Sequence, residues 1–465
     1  MTFLNKAKNT LIGDKAFYSK VFAIVFPMII QNTVTNVVSL VDNIMVGRVG
    51  TLEMSSVAIV NQLIFVFSLC IFGGLAGVGI FSTQYAGASD NKGMRYCMRL
   101  KWYVAIIMLI AAFAVFLIFP DELISSYLAK GTAQEDIYAT LKFGKDYLTV
   151  MLFGLLPFAV SQVYSGMLRE VGETRLPMIS SVVAIIVNMS FNYVLIFGVG
   201  KIPALGVVGA AIATVLSRYT EAVIIVIFAH KNKERFAFIK GVYHSFKIPF
   251  SLCKKIIPSG APLLINEFLW SMGQAILLQC YSVRSLTVVA ALNISNTAAN
   301  LFNVAFFSMG GAIAIMLGQY LGAGDTKKAK ENVWKLLFIS VVVSIVMGTL
   351  LALCSGVIPK IYNTEEAVRN MARQFLIIVS VLMPVFAFSH GCYFAIRSGG
   401  RTIVTFLFDS AVIWIVNIPT AYLLSVFTSI NIVTVFLLVQ CIDIIKCILG
   451  AILVKKGIWI RNIVN

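Results

Sequence analysis

Charged residues are scarce in this sequence, and that scarcity decides its structural class. Lys, Arg, Asp and Glu make up only 12% of the 465 residues, whereas 59% are hydrophobic. Soluble domains carry about twice that share of charge, roughly a quarter of their residues. Runs of about 18 or more apolar residues recur along the whole chain, which is too many for the core of a soluble domain. The composition therefore excludes an ordinary soluble domain and predicts a polytopic membrane protein.

Motifs for metal binding and phosphate chemistry are also missing. The eight cysteines form no C-x-x-C pair and lie mostly in or beside apolar runs, so we expect small buried hydrophobic side chains there. The stretch Gly-Ala-Gly-Asp-Thr-Lys-Lys that begins at 322 lacks the spacing of a phosphate-binding loop, and no ATPase domain is present. We therefore expect no enzyme activity and no cofactor, and transport that is passive or driven by an ion gradient.

Twelve apolar segments of membrane length can be drawn along the chain. Strands of a membrane barrel alternate polar and apolar residues over about ten positions, whereas these segments are continuously apolar, which favours helices. We predict an all-α polytopic membrane protein with twelve transmembrane helices, at 18–46, 55–84, 102–119, 143–167, 176–199, 205–229, 256–281, 286–317, 333–358, 372–396, 403–426 and 430–454.

The positive net charge of +17 has a topological explanation. Most Lys and Arg residues lie in connecting segments that share one side of the membrane with the N-terminus. Because such residues concentrate in cytoplasmic loops, we predict a multi-pass protein of the cell (plasma) membrane with both termini in the cytoplasm. The same cations face anionic lipid, so membrane lipid is an expected partner and nucleic acid is not.

The two halves of the sequence resemble each other. At a shift of 235 residues, Pro27 aligns with Pro262, and the motif Gln-Tyr-x-Gly-Ala at 84–88 aligns with the same motif at 319–323. A shift across an even number of helices preserves orientation, so we predict two pseudo-symmetric six-helix lobes related by an axis along the membrane normal. Two such lobes with a cleft between them are the architecture of an alternating-access transporter.

The predicted organisation follows from this repeat and from the long polar stretch at its centre. It consists of an N-lobe at 1–235, a cytoplasmic linker at 236–254 and a C-lobe at 255–465. Pro27 and Pro262 each remove a backbone donor from the first helix of a lobe. They are therefore candidate hinges.

One acid lies within the first predicted helix. A carboxylate inside a span costs roughly 2.5–3.5 kcal/mol on insertion scales, so Asp42 is a candidate functional residue. Asn188 and Asn192 share one face of the fifth helix, and Ala210 and Thr214 share one face of the sixth, because each pair is four residues apart. Their oxygens together suit Na⁺, and the carboxylate alone suits H⁺. The asparagines have an alternative role as hydrogen-bonding residues between helices.

The second half has no acid at the position equivalent to Asp42, where Leu277 stands. It carries Glu267 in the seventh helix and Asp409 in the eleventh. Each is a candidate for substrate binding or for a second protonation site, and each is also open to a structural ion pair. Two i,i+3 pairs are predicted to neutralise each other locally: Arg218 with Glu221, and Asp443 with Lys446.

These motifs together resemble the multidrug and toxic compound extrusion (MATE) family, of the prokaryotic type. The resemblance covers essentially the whole chain and rests on Pro27 and on the stretches DNIMVGRVG at 42–50, QYAGA at 84–88, LREVGETR at 168–175, NMSFNYVLIFG at 188–198 and ALGVVGAAIAT at 204–214. It implies an antiporter of twelve helices in two lobes that exports organic cations and drugs in exchange for Na⁺ or H⁺.

The resemblance also implies an ion-coupling site in the N-lobe, at Asp42, Asn188, Asn192 and Thr214, with Ala210 one turn before Thr214. Prokaryotic relatives often have a second acid where Asn192 stands, so the choice between Na⁺ and H⁺ stays open. In the C-lobe, Glu267 resembles an acid of the seventh helix in some relatives.

We hypothesise that the ion binds at Asp42 from outside and favours bending of the first helix at Pro27, which weakens substrate binding and releases the drug. The expected partners are small-molecule organic cations and membrane lipid, and the expected state is a monomer. Two other functions stay open. One is a flippase or exporter of a lipid-linked or amphipathic metabolite, and the other is a non-transporting receptor or scaffold.

Overall fold

The fold is almost entirely helical. The computed structural model describes residues 10–128 and 134–464, and within these ranges the one β-bridge joins Val199 to Ile202 in a turn. In the same part of the chain, eleven helices are long and apolar enough to cross a membrane, and a bent pair of helices can form a twelfth span. The predicted all-α fold with twelve membrane helices is confirmed.

We number the spans α1 to α12 in chain order and call the members of the bent pair α4a and α4b. The bounds are Lys15–Gly47 (α1), Thr51–Gly87 (α2), Asn91–Ile118 (α3), Gln134–Phe153 (α4a), Leu155–Glu170 (α4b), Arg175–Phe197 (α5), Gly206–Lys231 (α6), Phe250–Ser282 (α7), Leu286–Gly322 (α8), Thr326–Cys354 (α9), Glu366–Ser398 (α10), Thr402–Phe427 (α11) and Ile432–Lys456 (α12).

Proline acts differently in different spans. The two parts of α4 meet at Gly154 with an angle of 45°. Pro157 has no N–H to donate to the carbonyl of Phe153, so the helical hydrogen bonding is interrupted where α4a ends. Pro27 in α1 and Pro262 in α7 lie inside helices that continue past them. The predicted hinge residues therefore weaken continuous helices instead of ending them.

Span α11 departs from regular helical geometry in its middle. It is π-helical over Leu407–Ala411 and again over Ile413–Asn417. Such segments are rare, and they are frequent at functional sites. Asp409, one of the two acids singled out in the second half, lies in the first π-helical segment.

The chain divides into two compact units. Unit 1 comprises the described residues of Met1–Ile29, Thr83–Asp90 and Lys255–Asn465, and unit 2 comprises those of Ile30–Ser82 and Asn91–Lys254. The unit boundaries thus fall inside α1 and near the end of α2, positions that the sequence repeat did not indicate. The predicted lobes at 1–235 and 255–465 stay a prediction.

Within unit 1, the first part of α1 is a core element. Val21 and Ile24 are buried in one hydrophobic cluster with Met316 of α8 and Leu336 of α9. Trp459, which follows α12, is completely buried in the same cluster. Burial of apolar surface therefore fixes the segment before Pro27 in unit 1.

The repeated Gln-Tyr-x-Gly-Ala motifs meet at the ends of α2 and α8, inside unit 1. A Cβ atom added to Gly322 would lie 1.8 Å from the carbonyl oxygen of Gln84, and one added to Gly87 would lie 2.0 Å from that of Gln319. The two helix ends thus cross in direct backbone contact, and the contact is reciprocal. This close approach explains why both copies of the motif carry glycine.

We expect Gly322→Ala to destabilise the protein by roughly 1–3 kcal/mol, because the methyl group forces the two backbones apart. The matched control is Gly356→Ala, since a Cβ at Gly356 meets nothing within 4 Å. The control should change stability by less than about 0.5 kcal/mol. Thermal unfolding of the detergent-solubilised variants measures both effects, and equal midpoints for the two variants would contradict the assignment.

In unit 2, the segment that the sequence predicted as a polar linker is held against α3. The Arg99 guanidinium donates to the backbone oxygens of Gly241, Val242 and Lys247 at 3.1, 2.8 and 3.1 Å. Phe238 and Val242 of this segment are buried. Three charge-assisted bonds and two apolar anchors give this segment a fixed path.

Candidate cation-coupling site

The five residues predicted to form the N-lobe ion site lie together in unit 2. Asn192 Nδ2 donates to Asp42 Oδ1 at 2.6 Å and to Asn188 Oδ1 at 3.2 Å. Asn188 Nδ2 donates to Thr214 Oγ1 at 3.3 Å, and Thr214 Oγ1 donates to the carbonyl oxygen of Ala210 at 3.0 Å. The structure thus joins α1, α5 and α6 through one continuous chain of hydrogen bonds.

The oxygen atoms of this cluster have unused capacity. Asn192 is 1% exposed, and its Oδ1 is buried without a hydrogen-bond partner among the residues that the structure describes. The Asn188 amide also fits with its oxygen and nitrogen exchanged, and its nitrogen then donates to Asp42 Oδ1 and Oδ2 at 3.0 and 3.2 Å. In either assignment the Asn188 amide lies directly beside the Asp42 carboxylate.

The donor set fits a hard monovalent cation. It offers one carboxylate, amide oxygens, a hydroxyl and a backbone carbonyl, and Na⁺ prefers oxygen ligands of this kind. Asp42 supplies the one formal negative charge among the five residues, so a single Na⁺ or H⁺ neutralises the cluster. An isolated charge in an apolar environment is costly, so neutralisation of the Asp42 carboxylate by a cation is favourable.

Two residues near this cluster were not predicted. Tyr147 of α4a is 3% exposed, and its hydroxyl donates to Asn61 Oδ1 of α2 at 3.2 Å. Tyr147 lies within electrostatic range of Asp42. The sequence carried a weak signal for Asn61, which aligns with Asn296 at the repeat shift of 235.

A second polar cluster lies on the same three helices and on α4b, closer to the start of α1. Gln31 Nε2 donates to Ser181 Oγ at 2.6 Å, and Gln31 Oε1 accepts from Arg169 at 2.7 Å. Ser181 Oγ in turn donates to Glu221 Oε1 at 2.5 Å. These bonds connect α1, α4b, α5 and α6.

The two predicted i,i+3 pairs differ in geometry. Arg218 and Glu221 interact electrostatically, as predicted, but within the described residues they form no ion pair at contact distance. Arg218 lies over the Phe158 ring at 5.3 Å, and Glu221 accepts from Ser181. In α12, the Nζ atom of Lys446 lies 3.2 Å from Asp443 Oδ1, as predicted.

Unit 2 also contains a buried ion pair beside this second cluster. Lys101 Nζ lies 2.6 and 2.7 Å from the two carboxylate oxygens of Glu170, and Ser82 Oγ donates to Glu170 Oε2 at 2.5 Å. The side chains of Lys101 and Glu170 are 1% and 12% exposed. Both carboxylate oxygens are thus bonded, which is the arrangement that offsets the cost of burying the charges.

The two acids of the second half lie in unit 1 but share no hydrogen bond. Asp409 Oδ2 accepts from Asn266 at 3.1 Å, and Asp409 Oδ1 lies 3.6 Å from the Lys446 ammonium. Glu267 interacts electrostatically with Asp409 and with Arg397, and it makes no hydrogen bond or ion pair across residues 10–128 and 134–464. Asp409 is therefore partly neutralised by Lys446, whereas Glu267 keeps its carboxylate available.

Twelve membrane-length helices with a carboxylate-centred oxygen cluster inside them define a multi-pass α-helical membrane protein. The MatE family model matches the chain twice, over residues 27–194 and 262–423. The chain therefore belongs to the MatE family, as its motifs indicated. The two matches begin at Pro27 and Pro262, the residues that the repeat shift aligns, so the family model also locates the internal duplication.

Relatives cover most of this chain at low identity. A probable multidrug resistance protein NorM of Thermotoga maritima is 24% identical over 406 residues, which are 86% of this chain and 83% of that protein. A probable multidrug resistance protein YoeA of Bacillus subtilis is 24% identical over 413 residues, which are 88% of this chain and 87% of that protein.

Solved structures confirm the fold. A MOP superfamily transporter from Pyrococcus furiosus superposes with a TM-score of 0.83 at 18% identity, covering 94% of this chain and 95% of that one. A MATE transporter of Vibrio cholerae gives 0.84 at 17% identity, covering 97% of this chain and 98% of that one. The twelve-helix architecture is therefore shared with known transporters.

Proposed function

We propose that this protein is a cation-coupled antiporter that exports small organic cations, including drugs, in exchange for Na⁺ or H⁺. Membership of the MatE family and relatives named as probable multidrug resistance proteins support export as the function. The observation that carries the coupling is the oxygen cluster at Asp42, which joins one intramembrane carboxylate to two amides and a hydroxyl. We place the protein in the cell membrane as a monomer, with both termini in the cytoplasm.

The proposed cycle uses the neutralisation of Asp42. An ion arriving from outside shares the Asp42 carboxylate with the Asn188 and Asn192 oxygens, and this changes the hydrogen bonds between α1 and α5. Pro27 leaves α1 with one backbone hydrogen bond fewer, so bending there is inexpensive. A ligand shifts a conformational equilibrium only by its differential affinity for the two states. Ion binding must therefore favour the state that binds the organic cation weakly.

The experiment is transport of ethidium by proteoliposomes that contain the purified protein. Three conditions are compared: an imposed Na⁺ gradient, an imposed pH gradient and no gradient. Antiport predicts that a Na⁺ gradient or a pH gradient drives ethidium in the direction opposite to the ion. The rate should exceed both the rate without a gradient and the rate in protein-free vesicles. The gradient that drives the movement identifies the coupling ion.

Equal rates under all three conditions would contradict the proposal. In that case lipid-linked or amphipathic metabolites become the candidate substrates, and translocation of a fluorescent lipid-linked compound across the same vesicles tests the flippase alternative.

Glu267 and Asp409 are proposed to contact the substrate or to form a second protonation site. Changes in the half-saturating ethidium concentration in Glu267→Gln and Asp409→Asn would test this role.

A further inference from the structure

Helices α1 and α5 are joined by two hydrogen bonds that share one register. Gln31 Nε2 donates to Ser181 Oγ at 2.6 Å, and Asn192 Nδ2 donates to Asp42 Oδ1 at 2.6 Å. The partners in each bond are 150 residues apart in the sequence. The offset between the two helices is therefore identical at both contacts, and the helices run parallel there.

Helix geometry makes these two contacts interdependent. Asp42 lies 11 residues after Gln31 on α1, and Asn192 lies 11 residues after Ser181 on α5. Eleven residues are about three helical turns and about 16 Å of rise, so the residues of each pair lie on nearly the same face of their helix. A rotation or a slide of α1 that breaks the Gln31 contact therefore also moves Asp42 away from Asn192.

The Gln31 contact is anchored at both ends by a charged group. Gln31 is 8% exposed and accepts from Arg169 at 2.7 Å, while Ser181 donates to Glu221 at 2.5 Å. The chain of bonds runs from a guanidinium to a carboxylate, and each member donates in the same direction. Bonds to charged groups are the stronger ones, and aligned donors polarise one another.

Gln31 also lies where α1 changes from one unit to the other. The boundary falls between Ile29 and Ile30, and Gln31 is one helical turn after Pro27. Because the proline removes one backbone hydrogen bond, the helix itself holds the following segment less firmly. Side-chain contacts within unit 2 therefore help to fix the part of α1 that begins at Ile30, and Gln31 makes one of them with the charged Arg169.

We propose that Gln31 and Ser181 are positioning residues for Asp42. Their contact sets the register of α1 against α5 in which the Asp42 carboxylate meets Asn192, so it determines the affinity of the cation site without touching the cation. The role of Asp42 in this statement rests on the proposed function. The claim that Gln31 and Ser181 position Asp42 rests only on the two hydrogen bonds between α1 and α5. It can be tested by a measurement that does not depend on transport.

The first test is carbodiimide labelling of the Asp42 carboxyl in proteoliposomes, quantified by mass spectrometry. Gln31→Ala and Ser181→Ala should each raise the labelling rate about two- to tenfold, the factor that one net hydrogen bond is worth. Asn192→Ala is the positive reference, because it removes the partner of Asp42 directly. Ser181→Ala changes the volume little, so it decides the question even where Gln31→Ala fails to fold.

The matched control is Asn266→Ala, measured by the same labelling. Asn266 stands at the repeat position of Gln31, one turn after Pro262, and it is 2% exposed, but it lies on α7. It should leave Asp42 labelling unchanged. Unchanged labelling in both Gln31→Ala and Ser181→Ala, or an equal rise in Asn266→Ala, would overturn the proposal.

The second readout is the ion dependence of ethidium transport. A positioning role predicts that Gln31→Ala and Ser181→Ala raise the half-saturating concentration of the coupling ion about two- to tenfold at a nearly unchanged maximal rate. A loss of maximal rate with an unchanged half-saturating concentration would contradict it. If the wild type shows no ion-dependent transport, the proposed function fails, and the labelling comparison still decides whether Gln31 positions Asp42.

Discussion

We expect the replacement of Asp42 with asparagine to abolish the dependence of ethidium export on the ion gradient. Asparagine keeps the size of the side chain and an oxygen that accepts from Asn192, so we expect the variant to fold and to reach the membrane. It removes the negative charge that we propose holds the cation, and an interaction with a charged group is worth about ten- to hundredfold in affinity. Transport under the driving gradient should therefore fall to the rate without a gradient, as measured in proteoliposomes.

The control for this variant is Asp443→Asn. Asp443 is an intramembrane acid of α12 outside the Asp42 cluster, and its partner Lys446 keeps a second carboxylate at 3.6 Å in Asp409. We expect this variant to retain gradient-driven export. Loss of the Asp42→Asn protein from the membrane, with normal amounts of Asp443→Asn, would instead show that Asp42 is a structural acid.

Breaking the buried ion pair of unit 2 has the largest expected effect on stability. Lys101→Met removes the ammonium that contacts both oxygens of the buried Glu170 carboxylate, while the Ser82 donor stays in place. Removal of one partner from a buried pair costs roughly 3–5 kcal/mol, because the other charge is left uncompensated. The double variant Lys101→Met/Glu170→Gln carries no charge there and should be more stable than the single variant. Thermal unfolding in detergent measures the difference.

An exposed ion pair provides the comparison for this prediction. Lys145 and Asp121 lie 2.9 Å apart with side chains 46% and 54% exposed, and such pairs contribute about 0–1 kcal/mol. Lys145→Met should therefore shift the unfolding midpoint far less than Lys101→Met. If the double variant were less stable than Lys101→Met alone, the stability of the pair would not depend on its charges.

Apolar length alone predicted all twelve spans, because backbone groups in lipid must be satisfied within a helix. It did not reveal where individual spans depart from regular α-helical geometry. The π-helical segments of α11 at 407–411 and 413–417 have no signature in apolar composition. The linker was predicted from its polar composition. In the structure, however, its residues Phe238 and Val242 are buried, and Arg99 binds the linker backbone. These features depend on contacts between distant segments, which a single sequence does not contain.

In the candidate site, too, the sequence predicted some contacts and missed others. Residues four apart on one helix were correctly grouped, and the family motifs brought Asp42 together with Asn192. Arg218 and Glu221 interact electrostatically as predicted, but the direct hydrogen bond to Glu221 comes from Ser181 on another helix, which the sequence did not reveal. Gln31 carried no signal, since a glutamine in an apolar run is read as a tolerated polar residue until its neighbours are known.

The most direct test of the account is the affinity of the purified protein for ethidium as a function of Na⁺ concentration and pH, in the wild type and in Asp42→Asn. Coupling between two ligands is reciprocal, so an ion that drives export must weaken substrate binding. We predict that a rise in Na⁺ or a fall in pH weakens ethidium binding to the wild type and leaves binding to Asp42→Asn unchanged. Wild-type binding that depends on neither ion, or an identical dependence in the variant, would contradict the claim that Asp42 couples the ion to the substrate.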